Sequence, residues 1–494
     1  MVGIIGGGVA GLSCARHLQY AYDVTVYDTG RVRPGGRASS RQSNDRSKDD
    51  MNSNANTEFP ILSRFRFDHA AQFITSTSTA SLSSSATSWK TDFDQQVENW
   101  VDQGILRTAP SDSVYVFKKK KNSNPPICEA LCLNPSSSVD DDIDKPQQNF
   151  YYPPEGMSSL VSALTSGNAF NIKQDVWVSP SSGVKYQGPP APLGCTSENT
   201  KAIDNWNVRA SGKTIGKHDH LIIAHNGKCA DRLMSKTPAK DVHSLLRVNF
   251  SDRVPANGGE KMTLNSLYSL TLCLKGPSIL SQSLQKSESF IAGFVQDHPR
   301  LGLVTCQTNK YPTTTYNKDN ENDDDKNNNN FEVWTIMSTA QFAKKYKAPQ
   351  ENLPEDVIEN VTKLLVDSLQ EDIIGNNNNN NNSDGTTATL QSQVVESRLQ
   401  LWGAAVPLNV WRDSGSSGFI YDPRYQVGVC GDWLMEPSIA GAWTSGRRLA
   451  QHLINASSDK DENGNSSKSE SVGFKKGYFE ASQAVKKLGI AALD

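Results

Sequence analysis

The sequence predicts an α/β fold in which a parallel-sheet domain is interrupted by a second domain of mixed or antiparallel sheet with helices. Three observations carry this. Two short apolar runs, Val2-Gly3-Ile4-Ile5 and Val24-Thr25-Val26-Tyr27, flank a stretch of helical length from Ala10 to Gln19, which makes one compact βαβ unit. Strand-like and helix-like patterns then alternate along the rest of the chain, as α/β layers require. A glycine-rich turn that leads from strand to helix stands near each end, so the first domain is expected to be discontinuous.

Length and composition bound the function. The 494 residues suffice for two or three domain-sized units. With 50 Lys+Arg against 53 Asp+Glu the net charge is -3, and no basic block is long enough to line a nucleic-acid groove. Nucleic acid is therefore not an expected partner. The eight cysteines are scattered, with no CxxC pair and no histidine pair at ligand spacing, which predicts a reduced, metal-free interior. The longest apolar runs, such as Leu221-Ile222-Ile223-Ala224, are strand-sized and far below the ~20 residues that span a bilayer. No membrane partner is expected. No targeting leader is legible, so the compartment stays open between cytoplasm, the default, and plastid, should a leader precede these residues.

Residues 43–57, 76–88, 118–148, 316–330, 375–386 and 456–472 are rich in Ser, Asn, Asp and Lys. Such tracts bury too little apolar area to offset chain entropy and read as surface insertions. Roughly 390 residues remain, the size of a two-domain enzyme. In these, further strands are expected at 66–68, 176–178, 220–224, 270–274, 301–306, 331–336 and 427–430. Helices are expected at 91–103, 156–166, 338–346, 354–370 and 440–453. Phe474 to Leu493 carries apolar residues at helical spacing and is expected to dock as a terminal helix, with a membrane-surface role as the rarer alternative.

Gly6-Gly7-Gly8-Val9-Ala10-Gly11 is a GxGxxG that follows a strand and opens a helix, the context in which this pattern binds a dinucleotide. Gly6 allows the tight turn, Gly8 lets a pyrophosphate approach the backbone, and Gly11 lets helix and strand pack closely. The helix N-terminus presents free N–H groups to the phosphates. Asp28, at the end of the second strand, can accept from the ribose hydroxyls. Gly35, Gly36 and Arg37, in Arg33-Pro34-Gly35-Gly36-Arg37-Ala38-Ser39-Ser40, suit a second backbone approach and a charge-assisted pyrophosphate contact, although a solvated turn fits the same residues. Near the C-terminus a strand ends in Gly431-Asp432, and Ser438-Ile439-Ala440-Gly441-Ala442-Trp443 opens another helix. Asp432 could accept from a ribityl hydroxyl, and the N-terminus at Gly441-Ala442 could face the N1/C2 edge of a flavin. An ordinary Asp-capped helix is the plain alternative.

Together these segments resemble the flavin adenine dinucleotide (FAD) proteins of the amine oxidase superfamily, and within it the renalase-like proteins of the plant and algal branch. Phe67-Asp68-His69-Ala70-Ala71-Gln72-Phe73 is similar to their FDHGAQYF strand, with Ala70 in place of glycine. Tyr152-Pro153-Pro154-Glu155-Gly156-Met157 is similar to their glycine-methionine segment, and Asp432-Trp433 with Gly441-Ala442-Trp443 to their terminal motif. The resemblance implies a Rossmann-like FAD domain over 1–75, 150–232 and 420–455, a substrate domain over 76–149 and 233–419, and a polar linker with a C-terminal helix over 456–494. The flavin ring is expected at the domain interface.

The resemblance also places Val176 at the adenine through its backbone and Gln72 close to the isoalloxazine. The catalytic residues stay unknown, with Gln72, His69 and Trp402 as candidates. His69 reads as a proton shuttle or a satisfied structural residue, and Trp402 as a stacking surface for a planar substrate or a core tryptophan. Cys430 reads as a small buried residue rather than a flavin attachment, so the FAD is expected to be non-covalent. The implied reaction is hydride transfer from a small-molecule substrate, a dihydronicotinamide isomer, to flavin N5. Reoxidation by oxygen would give hydrogen peroxide, or another electron acceptor would serve. A flavin amine oxidase, a non-redox isomerase or mutase, and a FAD-stabilised scaffold are the alternatives. Oligomeric state is not legible.

Overall fold

A computed structural model describes residues 1–41, 59–77, 88–119, 128–133, 148–167, 169–180, 182–188, 205–250, 264–284, 289–312, 331–350, 352–375, 389–413, 415–458, 471–474 and 477–481. The chain divides into two compact units.

The first unit comprises Met1–Ala38, Leu160–Leu264 and Pro407–Gln483. Its six-stranded sheet runs in the order Asn171–Lys173, Val24–Tyr27, Val2–Ile5, His220–Ile223, Val427–Val429 and Ile420–Asp422. The first five strands are mutually parallel and the last is antiparallel. Val2, Ile4, Val24, Val26, Leu221, Ile222 and Ile223 are fully buried. Strands covered on both faces need such continuous apolar runs, which is why these segments do not alternate with polar residues. The helices Val9–Leu18 and Ile439–Ser458 approach closely, because a Cβ on Gly446 would come within 2.1 Å of the Ala10 carbonyl oxygen. A separate antiparallel sheet of Val184–Tyr186, Trp206–Ala210 and Lys213–His218 is inserted before the fourth parallel strand.

The second unit comprises Ser39–Ser159, Asn265–Val406 and Ala484–Asp494. Its seven-stranded mixed sheet runs in the order Val394–Pro407, Leu264–Lys275, Phe331–Ser338, Leu301–Cys306, Ala292–Val295, Val114–Lys119 and Cys128–Cys132. A three-stranded antiparallel sheet joins Ile74–Thr77, Gln148–Tyr152 and Arg107–Thr108. The core of the large sheet gathers Leu270, Leu272, Leu301, Trp334 and Ile336 with Val361 and Leu365 of the helix Glu355–Ser368.

The fold class is the expected one, a parallel Rossmann-like sheet and a mixed sheet with helices. Several local expectations differ. The strand expected at 176–178 lies earlier, at Asn171–Lys173, and Val178 makes only an isolated bridge to Ala210. Over its described part, the helix expected at 474–493 is instead a strand, Gly477–Ala481, paired antiparallel with Asn409–Asp413. The open edge of that partner strand supplies backbone hydrogen bonds that the local periodicity could not anticipate. The tract 118–148 contains the strand Cys128–Cys132, paired with Val114–Lys119. The other polar tracts lie largely outside the described residues. Residues 39–75 and 150–159, expected in the first domain, belong to the second unit, whereas 233–264 and 407–419 belong to the first.

Candidate functional site

In the first unit, the glycines of the N-terminal turn divide by what surrounds them. Gly6 has φ +109°, and a Cβ there would meet the Ala224 carbonyl oxygen at 2.6 Å. A Cβ on Gly11 would meet the Gly6 carbonyl oxygen at 2.0 Å. These two are glycine because the chain itself fills the space. Gly8 is the N-cap of the helix Val9–Leu18 and pairs with Gly35, yet nothing stands nearer to its Cβ position than the Gly35 carbonyl oxygen at 4.0 Å. A Cβ on Gly36, which has φ +56°, would stand 3.9 Å from the Gly8 Cα. The two backbones thus form a cradle at a helix N-terminus with room for a group that Cβ atoms would displace, and a pyrophosphate fits that description. Gly35, at φ +137°, is confined by the Ala38 carbonyl oxygen at 2.8 Å and holds the turn.

Arg37 and Asp432 meet, with Nη1 2.7 Å from Oδ2. The Asp432 side chain is buried, whereas that of Arg37 is about one-third exposed. The N–H of Gly431, just before it, is donated to Ser445 Oγ at 2.9 Å, which fixes the turn carrying Asp432. Asp28 accepts from the Gly7 N–H at 2.7 Å and from the Gly30 N–H at 2.8 Å, so its carboxylate is oriented by the glycine turn itself.

Two backbone expectations meet competition from within the chain. The Val176 N–H is donated to the Asp28 carbonyl oxygen at 2.9 Å. The Gly441 N–H is donated to Ser438 Oγ, and the Ala442 N–H to the Ser438 carbonyl oxygen, both at 3.0 Å. Gly441 is required by packing, since a Cβ there would meet the Glu436 carbonyl oxygen at 2.0 Å.

In the second unit, Phe67–Asp68 pairs antiparallel with Ser40–Arg41, and the two faces of this ladder differ. On one face the fully buried Asp68 accepts from Lys310 Nζ at 2.7 Å, Tyr311 OH at 2.5 Å and the Met157 N–H at 3.0 Å. Lys310 also donates to the Gln72 carbonyl oxygen and is itself fully buried. Its ammonium lies 4.8 Å from the ring centre of Phe73, 5.3 Å from Tyr311 and 5.5 Å from Tyr152. Burial lowers the Lys310 pKa, with Asp68 opposing, and burial drives that of Tyr311 well up. Gln72 is enclosed in the same network. Its Nε2 donates to the carbonyls of Asp68 and Ala70 at 3.0 Å each, and its Oε1 accepts from Gln307 at 2.8 Å. The amide thus shapes the 68–72 turn.

On the other face, His69 stacks on Trp402 with ring centres 5.7 Å apart and planes 17° apart, and Trp402 Nε1 donates to the His69 carbonyl oxygen at 3.0 Å. His69 Nε2 shares a hydrogen bond with Ser39 Oγ at 3.2 Å. His69 Nδ1 is buried with no hydrogen-bond partner. Burial, aided by Arg41 and Arg398, lowers the His69 pKa to about 3, so the imidazole is neutral at physiological pH.

Sequence reasoning missed Lys310, Tyr311 and Gln307, which come from a short helix after the strand Leu301–Cys306 and carry no local signature. It also missed Arg398, which alternation along Val394–Pro407 puts on the same strand face as Trp402. Among the described residues no group of three His, Cys, Asp or Glu side chains could hold a metal ion, and no helix is long and apolar enough to cross a membrane.

Residues 4–84 match the NAD(P)-binding Rossmann-like domain. The fold and the glycine cradle therefore define a protein with a Rossmann-like dinucleotide-binding domain. Among solved structures, the chain is similar to cyclohexylamine oxidase from Brevibacterium oxydans IH-35A (9% identity, 92% of this chain and 98% of that one, TM-score 0.49). It is also similar to a putative FAD-containing monooxygenase from Photorhabdus luminescens subsp. laumondii TTO1 (12% identity, 93% and 90%, TM-score 0.41). A third is a reduced UDP-galactopyranose mutase (12% identity, 92% and 93%, TM-score 0.48). A comparison with curated protein sequences finds no match.

Proposed function

We propose that this chain is an FAD-dependent oxidoreductase that oxidises a small molecule. The observation that carries the reading is the cradle between Gly8 and Gly36, flanked by the Arg37–Asp432 pair, in a domain that matches the Rossmann-like pattern. When bound, FAD would supply the redox chemistry, accepting a hydride at N5 and passing the electrons to oxygen to give hydrogen peroxide. The chain's own residues bind and orient. The backbone at Gly8 and Gly36 and the Arg37 guanidinium would receive the pyrophosphate, the oriented Asp28 carboxylate the adenosine ribose, and Asp432 a ribityl hydroxyl. Val176 would meet the adenine through its carbonyl, and the helix that opens at Ser438 would face the flavin.

The substrate proposed is a dihydronicotinamide isomer, as the renalase resemblance implies. Such a compound releases a hydride without a strong base. The low pKa of His69, about 3, agrees with that, since it makes the imidazole a weak base. The test is an anaerobic titration of the purified protein, following the flavin absorbance near ~450 nm while borohydride-reduced NAD isomers and then amines are added. Bleaching by a dihydronicotinamide isomer, reversed by air, is expected. Bleaching by amines alone would move the protein to amine oxidation. A band that nothing bleaches would overturn the redox reading in favour of a mutase-like or scaffold role.

A further inference from the structure

Away from the dinucleotide cradle, the first unit carries a basic face assembled from separate segments. Lys185, Asn207 and Lys217 stand in one row across the antiparallel sheet of Val184–Tyr186, Trp206–Ala210 and Lys213–His218. Paired residues project to the same side of a sheet and alternate residues to opposite sides. Arg209 therefore joins Lys185 and Lys217 on the outer face, while Val184, Trp206 and Val208 lie in the core. Val178 is buried and bridges Ala210, which turns the preceding Trp177 outward at the end of this face, 64% exposed. Val32, 41% exposed, is held on the neighbouring loop. Gln174 Nε2 donates to its carbonyl oxygen at 3.3 Å, and the Asp175 N–H to that of Gly30 at 3.2 Å. Lys213, paired with Ala210, adds a further exposed cation beside the turn. Lys173 is exposed as well, its Nζ donating to the Ile215 carbonyl oxygen at 2.7 Å. Among the described residues of 171–188 and 205–218, these five cations meet a single acid, Asp175, whose carboxylate lies 3.8 Å from Arg31.

We propose that this face docks on an anionic lipid bilayer, with Trp177 and Val32 entering the headgroup layer. Charge complementarity draws the lysines to such a surface, and their long stems let the ammonium groups reach the phosphates. An exposed tryptophan suits the same boundary, since its ring is apolar and its N–H polar. The cores of protein interfaces are poor in lysine, so a bilayer fits this composition better than an acidic protein. The inference is independent of the oxidoreductase reading. The expectation of no membrane partner rested on run length and contiguous charge, and neither registers a face that strand pairing assembles.

The experiment is sedimentation of the purified full chain with phosphatidylcholine vesicles that contain or lack phosphatidylserine. Binding to the serine-containing vesicles alone is expected, with release at ~0.5 M salt, where screening is short-ranged. Lys185, Lys213, Lys217 and Trp177 make no hydrogen bond or ion pair among the described residues, so their variants should fold normally. Changing the three lysines together to glutamine should weaken binding roughly a hundredfold, at about fivefold for each. Trp177→Ser should weaken vesicle binding several-fold while leaving binding to polyglutamate, a soluble polyanion, unchanged. Equal sedimentation with both vesicle types, none with either, or undiminished binding by the triple variant or by Trp177→Ser would overturn the proposal. Binding to polyglutamate without binding to vesicles would overturn it in favour of an acidic protein partner. The measurement needs neither flavin nor turnover, so its failure and that of the functional reading are separate.

Discussion

Arg37 Nη1 and Asp432 Oδ2 lie 2.7 Å apart, so an arginine directly after Gly36 meets a carboxylate almost four hundred positions away in sequence. The pairing ties the Gly35-Gly36-Arg37 segment to the C-terminal Gly431-Asp432, since each charge orients the other. With the Asp432 side chain almost fully buried, Asp432→Ala should raise the FAD dissociation constant tenfold or more while the far-ultraviolet spectrum stays native. An unchanged dissociation constant, measured by flavin fluorescence, would count against the role given to Asp432.

Gly8 and Gly11 sit three residues apart and should respond oppositely to a methyl group. Gly8→Ala has space in the chain, so the variant should fold with wild-type stability yet lose flavin on gel filtration, and Gly8→Val should lose it entirely. Gly11→Ala forces a Cβ against the Gly6 carbonyl and should cost about 1–3 kcal/mol in urea unfolding. Full yellow colour in Gly8→Val would remove the cradle from the binding site.

The buried Asp68–Lys310 pair sets a stability prediction. Lys310→Met leaves the Asp68 carboxylate without its cation, and breaking such a pair costs about 3–5 kcal/mol. Adding Asp68→Asn to Lys310→Met should recover part of that loss, because no buried charge is then left over. A double variant no more stable than Lys310→Met, by denaturant midpoint, would show that the carboxylate is not what makes the single change costly.

His69 links stability to pH. Its folded-state pKa of about 3 lies below the ordinary 6.5, so the unfolded chain binds the proton more tightly. The stability contribution is complete above about pH 6.5 and is lost as pH falls from there toward 3, at up to about 1.4 kcal/mol per pH unit. His69→Gln, which has no such titration, should therefore show a shallower fall in unfolding free energy between pH 6.5 and 4.5 than the wild type. Parallel curves for the two proteins would show that His69 is not held neutral.

The βαβ unit, the tight turn at Gly6, the close packing at Gly11 and the position of Asp28 were legible because each depends on residues within thirty of one another, where turn geometry and apolar periodicity act locally. The class of both sheets followed from the same patterns. What the sequence could not determine depends on partners distant along the chain. The segment after Phe474 pairs as a strand because Asn409–Asp413 offers it an open edge. Gln72 was expected beside a flavin, and the engagement of its amide was not legible, because Gln307 lies 235 positions away. Likewise the pairing of Lys310 with Asp68 and the stacking of Trp402 on His69 bring together residues more than two hundred positions apart. The sequence by itself determined the glycine turn between strand and helix, since backbone conformation is local. Only the tertiary structure decided which buried charges, rings and amides meet, since burial and long-range pairing set their energies.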